Sequence, residues 1–132
     1  MGKLAAQMGT YSLGMSSENT AKRLVLLNAS IITAYGIYKY EFVTLSGAKA
    51  LLLEYQQTNR TIESFVGHQA TADLLASLLN FPVRINRTEY RQTLEDVALV
   101  FKLRSRVTEG RVLTREELEV IGYDFGLLFR RG

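Results

Sequence analysis

Short apolar runs constrain the fold of this chain more than any other feature of its sequence. Residues 23–28 (RLVLLN) are apolar up to a polar end, and residues 98–104 (ALVFKLR) have the strongest strand pattern in the chain, so both predict buried strands. Residues 37–43 alternate apolar and polar side chains and are rich in aromatics, which predicts a strand with one exposed face. A chain with these runs must build a sheet.

The rest of the sequence alternates predicted helices and strands. Ala72, Leu75 and Leu79 share one helical face, and Thr114 with Glu117 matches a capping box, the paired caps of a helix start. In chain order the predictions are strand 23–28, strand 37–43, helix 46–55, a helix from about His68 to Leu79, strand 83–91, strand 98–104, helix 114–121 and strand 123–129. About five strands and three helices in this order predict an α/β or α+β fold with a single mixed sheet flanked by helices.

The composition agrees with one domain preceded by a leader. The chain has 132 residues, of which 47% are hydrophobic and 22% charged, and this suits one compact core with an ordinary surface. Residues 1–21 mix Gly, Ser, Thr and Met without a sustained period, which is typical of an appended leader. We therefore expect one folded domain over residues 22–132.

Charge and residue usage narrow the classes of function. With 16 Lys and Arg against 13 Asp and Glu, the net charge is only +3, which favours a small anionic ligand over duplex nucleic acid. The absence of cysteine excludes disulfides, thiolate metal sites and cysteine nucleophiles, and it suits a reducing compartment. No segment approaches the roughly 20 apolar residues that cross a bilayer, so we expect a cytoplasmic protein without a membrane partner.

The chain has one histidine, His68, at or near a predicted helix start. Free backbone N–H groups and the positive end of the helix dipole make such a position suitable for an anion. A single histidine excludes His-rich zinc sites and two-histidine acid/base pairs within one chain. Any histidine chemistry must therefore use His68, or two copies of it in a dimer. The alternative is a surface or capping histidine without a role in function.

Other polar residues lie where predicted strands end. Asn28 and Ser30 follow the first strand, at the edge where α/β sheets usually bind ligands, although such residues are also common in turns. Arg106 and Glu109 follow the strongest predicted strand; the guanidinium can hold a phosphate with two hydrogen bonds, and the carboxylate can exchange a proton with histidine. The alternative is an exposed salt bridge. Arg87 offers a second cation or merely surface charge.

Four short motifs stand in order along the chain: LNASI at residues 27–31, GHQATA at 67–72, NR at 86–87 and RVTEG at 106–110. In order and spacing they resemble the ring nuclease family of viral anti-CRISPR proteins that counter type III immunity, together with its phage and bacterial relatives. The resemblance extends from about residue 23 to residue 130 and includes the closing pattern of residues 113–128. It therefore covers nearly all of the chain after the leader.

The resemblance implies a fold, an activity and a site. Members of this family are dimers with a mixed sheet flanked by helices, and they cleave cyclic tetra-adenylate, the second messenger of type III CRISPR systems, without a metal or cofactor. The catalytic histidine of the family falls on His68, and its Arg-x-x-Glu pair falls on Arg106 and Glu109. The implied ligand-binding residues are Asn28, Ser30, Gly67, Thr71, Arg87 and Arg106.

The chemistry of the ring is compatible with these residues. A cyclic tetranucleotide has a two-fold axis, so a two-fold homodimer can present one His68 to each of two opposite phosphodiesters. The ribose 2′-hydroxyl beside each phosphate is an internal nucleophile, so the protein needs only to orient the ring, stabilise charge and move protons. We thus predict a metal-independent, homodimeric ring nuclease in the cytoplasm of a prokaryotic host. The alternatives are a non-catalytic cyclic oligoadenylate sensor or sponge, and a structural or interaction protein of a virus.

Overall fold

The computed structural model of this protein describes residues 20–105 and 113–132. Its elements in chain order are β1 (Arg23–Leu27), β2 (Tyr38–Val43), α1 (Leu45–Gln57), β3 (Thr61–Ser64), α2 (Gln69–Leu79), β4 (Asp96–Leu103), α3 (Arg115–Ile121) and β5 (Tyr123–Arg130). The described residues thus form an α+β fold with one mixed five-stranded sheet and three helices, which confirms the predicted class. Within these two ranges, no helix is both long and apolar enough to span a membrane.

The sheet has the strand order β2-β5-β4-β1-β3. β1 lies between β4 and β3 and runs parallel to both, with Leu26 opposite Leu99 on one side and opposite Ser64 on the other. β5 runs antiparallel to its two neighbours, β4 and β2. Because parallel strands point in the same direction, β1, β3 and β4 end at one edge of the sheet, here called the carboxyl edge. This is the edge at which α/β sheets usually bind ligands.

Both faces of the sheet carry buried side chains, since successive strand residues point to opposite sides. The helices pack against one face, where the strand residues of the core include Leu24, Leu26, Val97, Leu99, Phe101, Phe125 and Leu127. The core on the second face consists of Val25, Leu27, Tyr90, Ala98, Val100 and Leu128. Burying one leucine side chain contributes about 1.5–3 kcal/mol, so the central strands supply much of the stability of the fold.

Side-chain caps define how the helices begin and end. Thr44 caps α1, since its Oγ1 accepts a hydrogen bond from the N–H of Gly47 at 3.0 Å. At α3, Thr114 and Glu117 form the predicted capping box, in which each side chain accepts from the backbone N–H of the other at 3.0 Å. α2 ends where Asn80 takes the left-handed conformation with φ of 54°. The caps satisfy N–H groups that no helical bond reaches.

One predicted strand is wrong. Residues 83–91 do not join the sheet; they contribute an isolated parallel bridge between Ile85 and Val66. Of these residues Tyr90 is buried in the core, while the arginines and the glutamate stay exposed, so the burial of the segment does not follow the alternation of its sequence. The fifth strand is instead β3, for which the sequence analysis predicts no strand. Its sequence TIES is short and polar, and such a strand is tolerated at the edge of a sheet because one side faces solvent.

Candidate functional site

Two strand ends form the base of the candidate site at the carboxyl edge. Asn28 directly follows β1, and Phe65 directly follows β3. The backbone N–H of Phe65 donates to the carbonyl of Leu26 at 3.0 Å, so the chain continues alongside β1 after β3 has ended. This pairing brings Asn28 and Gly67, which lie on different strand ends, into the wall of one cavity.

His68 stands at the start of α2, as predicted. It is the N-cap residue, with an extended backbone (φ −122°, ψ 132°), and its carbonyl accepts the first helical hydrogen bond, from the N–H of Ala72 at 3.0 Å. Three further buried residues of α2, Leu75, Leu78 and Leu79, hold the helix against the core. The first N–H groups of a helix have no partner within it, and the dipole is positive there. His68 therefore lies beside a position that favours an anion.

The chain after α2 brings Arg87 to the same place. Asn86 donates its N–H to the carbonyl of Val66 at 2.9 Å, next to the isolated bridge. The Arg87 side chain then reaches the carbonyl of Gly67, to which its Nε donates at 2.8 Å. The N–H of Thr88 donates to Oδ1 of Asn86 at 3.0 Å and closes a local turn. Arg87 is thus tied to the residue immediately before the cap of α2.

These elements surround an open cavity of about 300 Å³. It is lined by Asn28, Phe65, Gly67, His68, Asn86, Arg87 and Thr88, and among the described residues its lining contains no carboxylate. A guanidinium and the N–H groups at a helix start are donors that suit a phosphate. An imidazole can gain or lose a proton near neutral pH. The cavity therefore has the groups to bind a phosphate and to transfer a proton at it.

A larger cavity, of about 550 Å³, lies along the outer edge of β3 and shares Asn86 with the first. Its remaining lining residues are Leu26, Ile62, Glu63, Ser64, Phe81, Pro82, Arg84 and Ile85. The carboxylate of Glu63 in this wall disfavours an anion, and the lining lacks the imidazole. We place the candidate site at the smaller cavity because that cavity joins His68 with Arg87.

Four of the predicted site residues come together in this cavity, namely Asn28, Gly67, His68 and Arg87. Thr71 lies in the first turn of α2, half-buried and outside the cavity lining, and Ser30 is exposed in the chain after β1, also outside it. Arg106 and Glu109 lie outside the described residues. Their segment follows β4, whose last residues reach the carboxyl edge at which the cavity lies.

The cavity also contains three residues that the sequence analysis does not predict as ligand contacts: Phe65, Asn86 and Thr88. Asn86 has a sequence signal, because it stands in the NR motif directly before Arg87. Phe65 and Thr88 have none. Their place in the wall depends on the pairing between Asn86 and Val66, which joins distant parts of the chain and leaves no local pattern.

A partly buried ion pair lies on the second face of the sheet, at the starts of β1 and β4. Asp96 is 3% exposed and accepts hydrogen bonds from Nε and Nη2 of Arg23, both at 2.9 Å. It also accepts from the hydroxyl of Tyr90 at 2.9 Å and from the N–H of Thr93 at 3.1 Å. Nη1 of Arg23 donates to Glu63 at 2.7 Å. One carboxylate thus connects the start of β1 with the chain before β4.

These contacts shift the pKa of each group in the pair. Burial raises the pKa of the Asp96 carboxyl, but the hydrogen bonds from Arg23, Thr93 and Tyr90 together lower it by more, so the pKa lies below its ordinary value. The hydrogen bond to Asp96 is the main reason that the pKa of Arg23 is raised. Burial, and then the bond to Asp96, raises the pKa of the Tyr90 hydroxyl. At neutral pH the network therefore keeps a charged pair and a neutral phenol.

Exposed apolar side chains follow the site along the chain. They are Ile32, Tyr35 and Ile37, between β1 and β2, and Tyr40 and Phe42 of β2. The ring of Tyr40 lies on Gly126 of β5, where a Cβ atom would come within 2.5 Å of the ring, and this close approach explains a glycine inside a strand. Phe42 is 65% exposed, so this end of the second face presents apolar surface to the outside.

Known proteins are similar to this chain in sequence and in fold. The sequence model of the STIV B116-like family matches residues 24–125, a range that includes every residue of the cavity lining. YddF of Bacillus subtilis is 36% identical over 107 residues, which cover 81% of this chain and 96% of YddF. ORF117 of Acidianus two-tailed virus is 36% identical over 105 residues, which cover 76% of this chain and 87% of ORF117. The solved structure of B116 of Sulfolobus turreted icosahedral virus has a TM-score of 0.65 and 20% sequence identity, and the match covers 83% of this chain and 99% of B116. This chain therefore belongs to the STIV B116-like family.

Proposed function

We propose that this protein is a metal-independent ring nuclease that cleaves cyclic tetra-adenylate and so switches off the immune response that this messenger signals. The observation that carries the proposal is the cavity at the carboxyl edge, which joins His68, Arg87 and the start of α2. The motifs that resemble the ring nuclease family include these same residues, and the relatives of the chain include a viral protein. In this proposal the enzyme acts in the cytoplasm of a prokaryotic host.

The reaction uses the ribose next to the scissile phosphate. The 2′-oxygen forms a bond to phosphorus, the bond from phosphorus to the 5′-oxygen breaks, and the proton of the 2′-hydroxyl passes to solvent water. His68 gives its proton to the departing 5′-oxygen, so the product is linear with a 2′,3′-cyclic phosphate. His68 is at the cavity wall and exposed, where a phosphodiester can reach it. This mechanism requires neither a metal nor a protein nucleophile.

Cations around the phosphate stabilise the charge that develops during cleavage. Arg87 lines the cavity, and the hydrogen bond from its Nε to the carbonyl of Gly67 orients the guanidinium. Planar guanidinium groups bind phosphate oxygens with two parallel hydrogen bonds. We assign a second cation to Arg106, and to Glu109 the role of orienting His68 or exchanging a proton with it. Their segment leaves β4 at the carboxyl edge, which is compatible with both roles.

We propose that two copies of the chain act together on one ring. The two-fold symmetry of cyclic tetra-adenylate matches a two-fold dimer, which places one His68 at each of two opposite phosphates. The exposed apolar side chains from Ile32 to Phe42 offer a surface for the second copy. The chain between Asn28, in the cavity wall, and β2 carries part of this surface, while β2 itself lies at the sheet edge opposite β3.

The decisive experiment is incubation of the purified protein with cyclic tetra-adenylate in excess EDTA. We expect a linear product with a 2′,3′-cyclic phosphate. The cyclic tetra-deoxyadenylate ring is the matched control, since it lacks the 2′-hydroxyl and should bind without being cut. Binding of the ribose ring without cleavage identifies a sensor or sponge instead. Absence of binding to either ring rejects the proposal and favours a structural or interaction role.

A further inference from the structure

The chain that carries Arg87 into the cavity has no regular secondary structure. Residues 86–95, here called the 86–95 segment, contain neither helix nor strand. Near the cavity the segment is held by the N–H of Asn86 on Val66 and by Nε of Arg87 on Gly67. Backbone that lacks a helix or a ladder keeps its position only through such individual contacts. The next anchor along the segment therefore matters for where Arg87 lies.

That anchor is Tyr90, three residues after Arg87 in the sequence. Tyr90 is 4% exposed, and its hydroxyl donates to Oδ2 of Asp96 at 2.9 Å. Asp96 is itself held by the two hydrogen bonds from Arg23 on β1, the central parallel strand. A buried hydrogen bond to a charged acceptor is among the stronger contacts in proteins. Tyr90 is thus attached to the sheet through a rigid ion pair.

Tyr90 also supports the wall of the cavity. Its ring centroid lies 4.8 Å from that of Phe65, which lines the cavity. The guanidinium carbon of Arg23 lies 5.6 Å from the Phe65 ring and 5.8 Å from the Tyr90 ring. Nη1 of Arg23 additionally bonds Glu63 on β3, two residues before Phe65. The same cation therefore contacts the aromatic wall, its supporting strand and the anchor of the 86–95 segment.

We propose that Tyr90, held by Asp96 and Arg23, is a positioning residue that sets the place of Arg87 and Phe65 in the anion site. It does not touch the ligand. It restricts the 86–95 segment so that the guanidinium of Arg87 is already aimed when a phosphate enters, and this preorganisation strengthens binding. The inference rests on the proposed function only in taking a phosphate as the group that enters the cavity.

The test compares Tyr90→Phe with Tyr55→Phe. Tyr55 is the matched control, because it is fully buried and its hydroxyl donates to the carbonyl of Ala21 at 2.7 Å, but it belongs to the helix-side core and does not line the cavity. Each substitution removes a buried hydroxyl and keeps the ring, although the hydroxyl of Tyr90 bonds a carboxylate and that of Tyr55 a neutral carbonyl, so stability is measured for both variants and the site readouts are compared separately. We expect both variants to lose stability, with the larger loss in Tyr90→Phe because its bond goes to a charged acceptor.

Two NMR signals report on the site directly. The Nε–H of Arg87 reports on its hydrogen bond to Gly67. The imidazole signals of His68 are unambiguous because the chain has a single histidine, and their shift during a titration with inorganic phosphate gives the affinity. In Tyr90→Phe we expect a shifted, faster-exchanging Arg87 Nε–H and a phosphate affinity at least about threefold weaker. In Tyr55→Phe both readouts should match those of the wild type.

Either of two results overturns the inference: wild-type readouts in Tyr90→Phe, or equal changes in Tyr55→Phe, which would indicate general destabilisation. If Tyr90→Phe does not fold, Glu63→Gln weakens the Arg23 cluster from the exposed side and should move the Arg87 signal in the same direction. If the imidazole signals of wild-type His68 do not shift during the phosphate titration, the result counts against the proposed function. The Arg87 Nε–H signal still decides the role of Tyr90. If the wild type binds phosphate but does not cleave the ring, the proposed ring nuclease activity is rejected, and the comparison of Tyr90→Phe with Tyr55→Phe still tests the positioning role of Tyr90.

Discussion

The cap of α2 and the 86–95 segment both contribute to the cavity lining, and they are held in place by different means. α2 is a regular helix with a buried face, including Leu75 at 2% exposure, that packs into the helix-side core. The 86–95 segment has no backbone ladder and depends on a few bonds, such as that from Arg87 to Gly67. His68 therefore takes its position from the fold as a whole, whereas Arg87 takes its position from single contacts.

This difference indicates how the protein divides stability from function. Weakening the packing of α2 should destabilise the entire domain, because the helix shares its core with the sheet. Weakening an exposed contact of the 86–95 segment, such as that from Arg87 to Gly67, should leave the domain folded and change mainly the site, since local openings cost less than global unfolding. Four substitutions test this division: two at α2, one in the 86–95 segment, and one in the ion pair to which Tyr90 of that segment is bonded.

The largest effect is expected at the cap of α2. His68→Ala removes the proposed general acid but leaves Arg87 and the helix N–H groups, so cleavage of cyclic tetra-adenylate should fall by about 10²–10⁴-fold. Affinity for the ring should change little, because the imidazole acts mainly in the transition state. Single-turnover cleavage and a binding titration on the same variant separate the two quantities. Wild-type cleavage, or loss of binding, would show that His68 is not the acid.

Within α2, Leu75→Ala should lower the free energy of unfolding by about 2–5 kcal/mol, because it leaves a cavity in the core. Leu53→Ala is the control, since Leu53 of α1 is 52% exposed and should cost little. Urea denaturation measures both variants. In folded Leu75→Ala, the Arg87 Nε–H signal should stay as in the wild type. A change in this signal would show that the packing of α2 and the position of the 86–95 segment are coupled.

In the 86–95 segment, Arg87→Ala should weaken ring binding by about tenfold or more, because it removes a charged donor. Arg84→Ala is a closely matched control: Arg84 is also exposed, it lies three residues earlier, and it does not line the site. Arg87→Lys should restore binding only in part, as lysine lacks the planar guanidinium. Calorimetric titration with the cyclic deoxyadenylate ring measures affinity without turnover. Equal affinities for the two alanine variants would remove Arg87 from the site.

The smallest effect concerns the ion pair between Arg23 and Asp96, and it appears on acidification. Asp96 has a lower pKa in the folded protein than its ordinary value of 3.8, so the unfolded chain binds the proton more readily. Its contribution to stability is therefore complete above about pH 4 and is lost as the pH falls through the folded pKa. Asp96→Asn removes the carboxylate that gains from this shift, so it should flatten the acid dependence of the free energy of unfolding. Urea titrations at several pH values check this; an unchanged acid slope would show that other carboxyls dominate.

The same contrast explains what the sequence could predict. β1, β4, α2 and α3 carry their own signals, in apolar runs, helical spacing and the capping box of Thr114 and Glu117. His68 and Asn28 are predictable because each stands at the end of such an element. β3 is not, because its pairing with β1 depends on residues distant in the chain and its four residues show no apolar pattern. Residues 83–91 mislead because a segment with one buried aromatic imitates a strand.

The site shows the same limit. The sequence identifies Arg87 as a candidate cation, but its position beside Gly67 is set by a side-chain bond across 20 residues. Phe65 enters the wall through contacts with Tyr90 and Arg23, which no spacing rule contains. Residues placed by secondary structure were thus predictable, and residues placed by tertiary contacts were not. The dimer, and the roles of Arg106 and Glu109, remain predictions.

The position of β1 between two parallel partners, one of them late in the chain, also affects how the protein is made. β1 pairs with β4, and Arg23 meets Asp96 across 73 residues of chain. Contacts between such distant residues close slowly, because the loop between them must first lose its freedom. On the ribosome, the apolar residues of β1 emerge long before β4 and must wait for it, which is the stage at which a nascent chain is most prone to aggregate. Every residue of the cavity lining lies inside that loop, between Asn28 and Thr88, so the closure of β1 on β4 also constrains the chain that builds the site.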